Sequence, residues 1–209
     1  MKDDILSAQA IEERQVADAW LRITTWLRCH APATLELLRP GATEDEITAL
    51  QQALGVRIPA GLKSLWRQCA GVRTVPGQGS NFLLGGWALM SPDSVTYVYR
   101  EKMVSQERDG DDEFLFWRPA WIPVCSFYAA DYTHGLYLDA ETGKIGGWSR
   151  FYEHRPGFES LTDYLEEMAD ALEAPSLVTG EKPGLVNDVL VWGPPSDPGL
   201  EALWTPFTG

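Results

Sequence analysis

Few residue arrangements in this 209-residue chain could do covalent chemistry. Thr142-Gly143-Lys144 invites comparison with a phosphate-binding loop. Such a loop cradles phosphate with successive backbone amides, and needs a longer glycine-rich run that opens a helix. Here β-type sequence lies on both sides, so the triplet reads as a hairpin turn with Gly143 at the positive-φ position. His134 lies near Asp131, a pairing that could make a general base. A histidine beside a turn more often caps or solvates it, and the sequence assigns it no partner; His30 and His154 have no better claim. Cys29, Cys69 and Cys125 are far apart and odd in number, without the close pairs of a metal site. They read as reduced, mostly buried small side chains. There is no Gly-x-Ser-x-Gly elbow. With 30 acidic residues, paired-carboxylate catalysis cannot be inferred from composition. The residues call for no cofactor and no metal.

The sharper signal is one of binding. On a helix near the C-terminal end, Glu159, Asp163, Glu166, Glu167, Asp170 and Glu173 fall opposite an apolar stripe of Leu161, Leu165, Met168 and Leu172. No Lys or Arg interrupts the run. Asp163 faces Glu167 and Glu166 faces Asp170, like-charged pairs that each cost about 0.2–0.5 kcal/mol. Asp170 and Glu173 also stand at the helix end whose dipole favours cations. Nothing local recovers this cost. One explanation is solubility. The other is that this face, or the acidic loop of Asp109, Asp111, Asp112 and Glu113, meets a cationic surface on a partner. Trp117, beside that loop, and Trp204, near the C-terminus, are candidate interface anchors, since tryptophan dominates binding hot spots. Trp20, Trp66 and Trp121 lie on core-facing patterns.

The formal net charge of −13 narrows the partner class. It disfavours direct contact with nucleic acid or with an anionic membrane, and attracts a basic protein surface. The charged N-terminus lacks an apolar signal core, and no apolar run approaches the ~20 residues of a membrane span, so the expected location is cytoplasmic.

The elements that must position these residues are legible in part. A helix is expected from about Asp4 to Cys29, with Ile5, Val16, Trp20, Ile23 and Leu27 on one face. Pro32 and Pro40-Gly41 mark a connecting piece. Thr43 and Glu46 form a capping box ahead of Ile47, Leu50 and Leu54, with Gly55 placed to end that helix. Ile58-Pro59 precedes a helix carrying Leu62, Leu65, Trp66 and Cys69, closed by Gly71. Gly85-Gly86 then separates two short apolar runs as a tight hairpin. Pro92 to about Val104 reads as a helix or an irregular crossing. Trp121 to Phe127 is a strand that Pro123 assigns to an edge or a bulge. Leu136 to Leu138 and Ile145 to Trp148 form a second hairpin. Ser160 caps the closing acidic helix. Residues 1–174 are expected to form one domain, with the Pro- and Gly-rich residues 175–209 lying over it and holding one strand at Leu185 to Trp192.

This order resembles the SUKH superfamily in its Smi/Knr-type branch, named partly for a yeast regulator of cell-wall synthesis. The matching pieces are Thr43-Glu44-Asp45-Glu46 through Leu50 to Gly55, then Ile58-Pro59 with Leu62, Leu65, Trp66 and Gly71. They continue with Trp121-Ile122-Pro123-Val124, Tyr137-Leu138-Asp139 with Gly143 and Gly147, and Phe158 through Leu165. The resemblance spans roughly Leu38 to Leu172. It implies an α+β fold, a curved and mainly antiparallel sheet flanked by helices. In bacteria it implies an immunity protein that neutralises a cognate toxin by contact rather than by catalysis. A regulatory scaffold of the Smi/Knr type is the alternative, and an uncharacterised hydrolase a distant third. The long N-terminal helix and the residues after Pro175 depart from the common pattern and leave the partner open.

Overall fold

The computed structural model describes residues 2–75, 79–110, 115–151 and 154–209, apart from the side chains of residues 2–5. Ile5 therefore lies outside the described side chains. The first helix, α1 (Lys2–His30), is 29 residues long and buries Val16, Trp20, Ile23 and Leu27 as its periodicity requires. Pro32 does not merely break the chain. It occupies the first turn of a short helix, α2 (Pro32–Glu36), where its missing amide hydrogen costs nothing.

Helix α3 (Glu44–Leu54) begins with the expected capping box. Glu46 N donates to Thr43 Oγ1 at 3.2 Å and Thr43 N donates to Glu46 Oε2 at 2.7 Å. Its buried residues are Ile47, Leu50 and Leu54, and Gly55 ends it in the left-handed region. Helix α4 (Ala60–Gln68) follows Pro59 and buries Leu62, Leu65 and Trp66. It stops before Gly71, with Cys69 already extended.

The Gly85-Gly86 turn closes only a single bridge, Leu83 to Trp87. The chain beyond it supplies β1 (Ala88–Leu89), which pairs with a later strand instead of folding back on the preceding one. Next comes α5 (Pro92–Asp109), a regular helix capped by Ser91 and longer than the sequence suggested.

A meander follows: β2 (Trp121–Tyr128), β3 (Asp131–Asp139), β4 (Ile145–Ser149) and β5 (His154–Pro156). With β1 they form an antiparallel sheet in the order β1-β2-β3-β4-β5. Pro123 sits in an interior strand, and the register shifts between Pro123 and Cys125, so the bulge and not the edge accommodates it. Gly135 of β3 is required by close approach. A Cβ there would stand 2.1 Å from Cys125 O and 2.6 Å from the Trp148 ring.

Helix α6 (Leu161–Glu173) closes this part of the chain, with Ser160 Oγ accepting from Asp163 N at 3.0 Å. It packs along α1, while α5 lies across β2 and α3. Where one strand was expected near the C-terminal end, there are two, β6 (Lys182–Val186) and β7 (Val189–Gly193). Asn187 and Asp188 join them with positive φ, the conformation these two residue types tolerate best after glycine. A short helix, α7 (Pro198–Glu201), and β8 (Thr205–Pro206) complete a second sheet, ordered β7-β6-β8. This sheet is tied to α2 and to the segment before β1. Leu190 N donates to Thr34 Oγ1, and Trp192 Nε1 donates to Phe82 O, both at 2.8 Å. The fold is α+β, as expected.

Candidate functional site

The residues with catalytic-looking spacing are held in structural roles. Asp139 Oδ1 accepts from Glu141 N at 2.9 Å, and Gly143, at φ 77°, closes the turn between β3 and β4. Lys144 precedes a strand instead of a helix and pairs with Glu159 at 2.8 Å. The amides of this turn are therefore spent on the hairpin. Asp131 does not hold His134. Its Oδ1 accepts from Thr133 N and Thr133 Oγ1, which keeps the carboxyl below its ordinary pKa, and His134 Nδ1 meets the same hydroxyl at 2.8 Å. Cys69 and Cys125 are buried, and burial pushes the Cys69 thiol up to about 11. Cys29 is exposed, contrary to expectation: it lies on the solvent side of α1.

Trp117 is also not where the sequence suggested. It is 1 % exposed and lies in an aromatic cluster. Its indole N–H donates to Trp121 O at 3.0 Å, and its ring meets Trp121 and Tyr137 edge-on at 5.5 Å. His154 packs on Trp121 at 4.5 Å, with Nε2 3.0 Å from Phe116 O. Lys102 lays its ammonium 4.4 Å from the Trp148 ring centre, and burial draws its pKa down to about 8. The place of Trp117 beside an acidic segment does not bring it to the surface. Trp117 is a core residue whose one polar atom is already satisfied. Trp204 is half-buried, its N–H donating to Val191 O at 2.9 Å.

The acidic residues separate into groups. Asp109 ends α5 and pairs with the adjacent Arg108, which lowers its carboxyl pKa. Asp111, Asp112 and Glu113 lie outside the described residues. On α6, Asp163, Glu167, Asp170 and Glu173 are exposed and Glu166 is half-buried. Arg22 of α1 reaches the end of this helix, donating to Asp170 at 2.6 Å and to Glu173 at 3.0 Å. Its guanidinium supplies the cation that α6 lacks and is held more firmly charged as a result. The cost of crowding acids at this helix terminus is thus recovered across 148 residues of sequence, where local inspection does not reach.

Glu167, Asp170 and Glu173 share a groove of about 630 Å³, whereas Asp163 and Glu166 do not line it. Its apolar surface comes from Leu84, Trp87, Phe158, Ala171 and Val178. Its far wall is the segment after α6, where Leu177 is 79 % exposed and Glu181 adds a fourth carboxylate. Sequence reasoning missed every wall but α6. Nothing local connects the Gly85-Gly86 turn to that helix; Tyr164 does so in the fold, donating to Leu84 O at 2.9 Å.

Residues 41–167 match the model of the SMI1 / KNR4 family (SUKH-1), the span that holds α3 to most of α6. The chain belongs to that family. Among curated proteins, this SUKH-1 chain is similar to the F-box protein SKIP16 of Arabidopsis thaliana, 30% identical over 97 residues. The match covers 45% of this chain and 22% of that relative, so this chain spans only about a fifth of the relative's length. The groove's wall after α6 lies wholly beyond the family match, as do its α6 residues other than Glu167.

Proposed function

We propose that this SUKH-1 chain is a cytoplasmic immunity protein. In this reading it neutralises a cognate bacterial toxin by direct, stoichiometric contact and is not itself a catalyst. The observation that carries the reading is the α6 surface, where carboxylates that crowd one helix face also border an exposed apolar groove. Contiguous apolar surface rimmed by polar groups is what a protein-binding site requires. A strong excess of negative charge speeds encounter with a basic partner. Nucleic acid and anionic membrane carry the wrong sign.

The test is protection. An immunity gene stands beside the gene of its toxin, and co-expression with that toxin's lethal domain restores growth. Continued killing by every neighbouring toxin domain would overturn the reading. The alternative, a regulatory scaffold, draws support from the similarity to a plant F-box protein. Association with housekeeping proteins in place of a toxin would favour it.

A further inference from the structure

The groove beside α6 states more about its occupant than its sign. Its floor is apolar, built from Leu84, Trp87, Phe158, Ala171 and Val178, and its volume of about 630 Å³ suits one or two large side chains. Leu177, 79 % exposed at the mouth, extends the apolar surface outward. Four carboxylates line the same groove, Glu167, Asp170, Glu173 and Glu181, and the Arg22 guanidinium is bound to two of them, Asp170 and Glu173.

Arg22 does two things. It bonds to Asp170 and Glu173 and orients their carboxylates. It also cancels only part of their charge. Glu167 and Glu181 make no ion pair among the described residues. Charges beside an apolar wall are less well screened than charges in open water, which strengthens the pull on a cation. Among the described residues no three His, Cys, Asp or Glu side chains converge as metal ligands would.

We infer that the groove takes a segment of the partner protein in which a large aliphatic or aromatic side chain is flanked by Lys or Arg. The apolar group fills the floor and the cations meet the rim. This rests on the protein-binding reading above and specifies the partner's chemistry at that site.

The probe is a synthetic peptide of sequence Lys-Leu-Phe-Leu-Lys, compared with Glu-Leu-Phe-Leu-Glu, each titrated into the full chain by NMR. The expected result is that the basic peptide binds, shifting signals of Trp87 and Leu177, and weakens with added salt, while the acidic one does not bind. Glu167→Lys with Glu181→Lys, and separately Leu177→Asp, are each expected to weaken the basic peptide about tenfold. All three positions are exposed, so the melting temperature should hold. Equal binding of both peptides, no binding of the basic one, or indifference to these substitutions would overturn the inference. The same variants enter the protection assay. If they protect cells as well as the native chain does, the groove assignment falls and the immunity reading stands. If the native chain itself fails to protect, the immunity reading falls and the titration still decides the groove.

Discussion

His154 and Trp117 show how single side chains in the aromatic cluster set stability. Burial favours the neutral imidazole and lowers the His154 pKa, reinforced by the nearby charges of Lys102 and Arg118 and partly opposed by its hydrogen bond to Phe116 O. The unfolded chain takes up a proton near the ordinary value of 6.5, before the folded chain does. His154 thus contributes stability that is fully present above that pH and is lost as the pH falls below it. Urea midpoints measured at a mildly alkaline and a mildly acidic pH should differ more for the native chain than for His154→Gln. Equal slopes would refute the assignment, since His30 and His134 remain in both. Trp117→Ala should lower stability by about 3–5 kcal/mol, the cost of removing a large buried aromatic ring. An exposed interface anchor would leave the unfolding midpoint unchanged, so one denaturation curve separates the two roles.

At the scale of elements, α6 depends on α1 for charge compensation. Arg22 binds two exposed carboxylates, a geometry worth at most about 1 kcal/mol in water. Arg22→Ala should therefore cost up to about 1 kcal/mol at low ionic strength, and less in concentrated salt as screening quiets Asp170 against Glu173. A salt-independent loss would mean that the aliphatic stem matters more than its charge. The elements also differ in how far their sequence announces them. The Thr43–Glu46 box and Gly55 bound α3 without outside help, because each signal is a bond made within a few residues. Asn187-Asp188 is an equally local turn signal between Val186 and Val189, and it divides residues 185–192 between two strands. By contrast, β5 is three residues long and has no periodicity of its own; it is a strand because Trp148 and Gly147 pair with it.

At the scale of the whole molecule, the second sheet and the helices share one core. Leu190 and Trp192 join the buried cluster that includes Trp20, Ile23 and Phe82, and Phe207 packs edge-on against Trp26 at 4.9 Å. A chain ending at Ala174 would leave Thr34, Phe82 and Trp26 facing water and remove one wall of the groove. Such a truncation should unfold at markedly lower temperature, in a broader transition, and bind the basic peptide weakly if at all. An unchanged melting curve would show residues 175–209 to be energetically separate from the rest.

Patterns that recur within a turn or two were enough, unaided, to specify the capped helices, the buried stripes, the Gly143 hairpin and the excess of acid on α6, because their causes lie between near neighbours. Tertiary structure alone decided that Trp117 is core, that Arg22 offsets Asp170 and Glu173, and that the Leu84 turn, α6 and Glu181 enclose one groove. Those facts depend on which surfaces meet after the chain has crossed itself, and contacts between residues a hundred positions apart leave no periodicity behind.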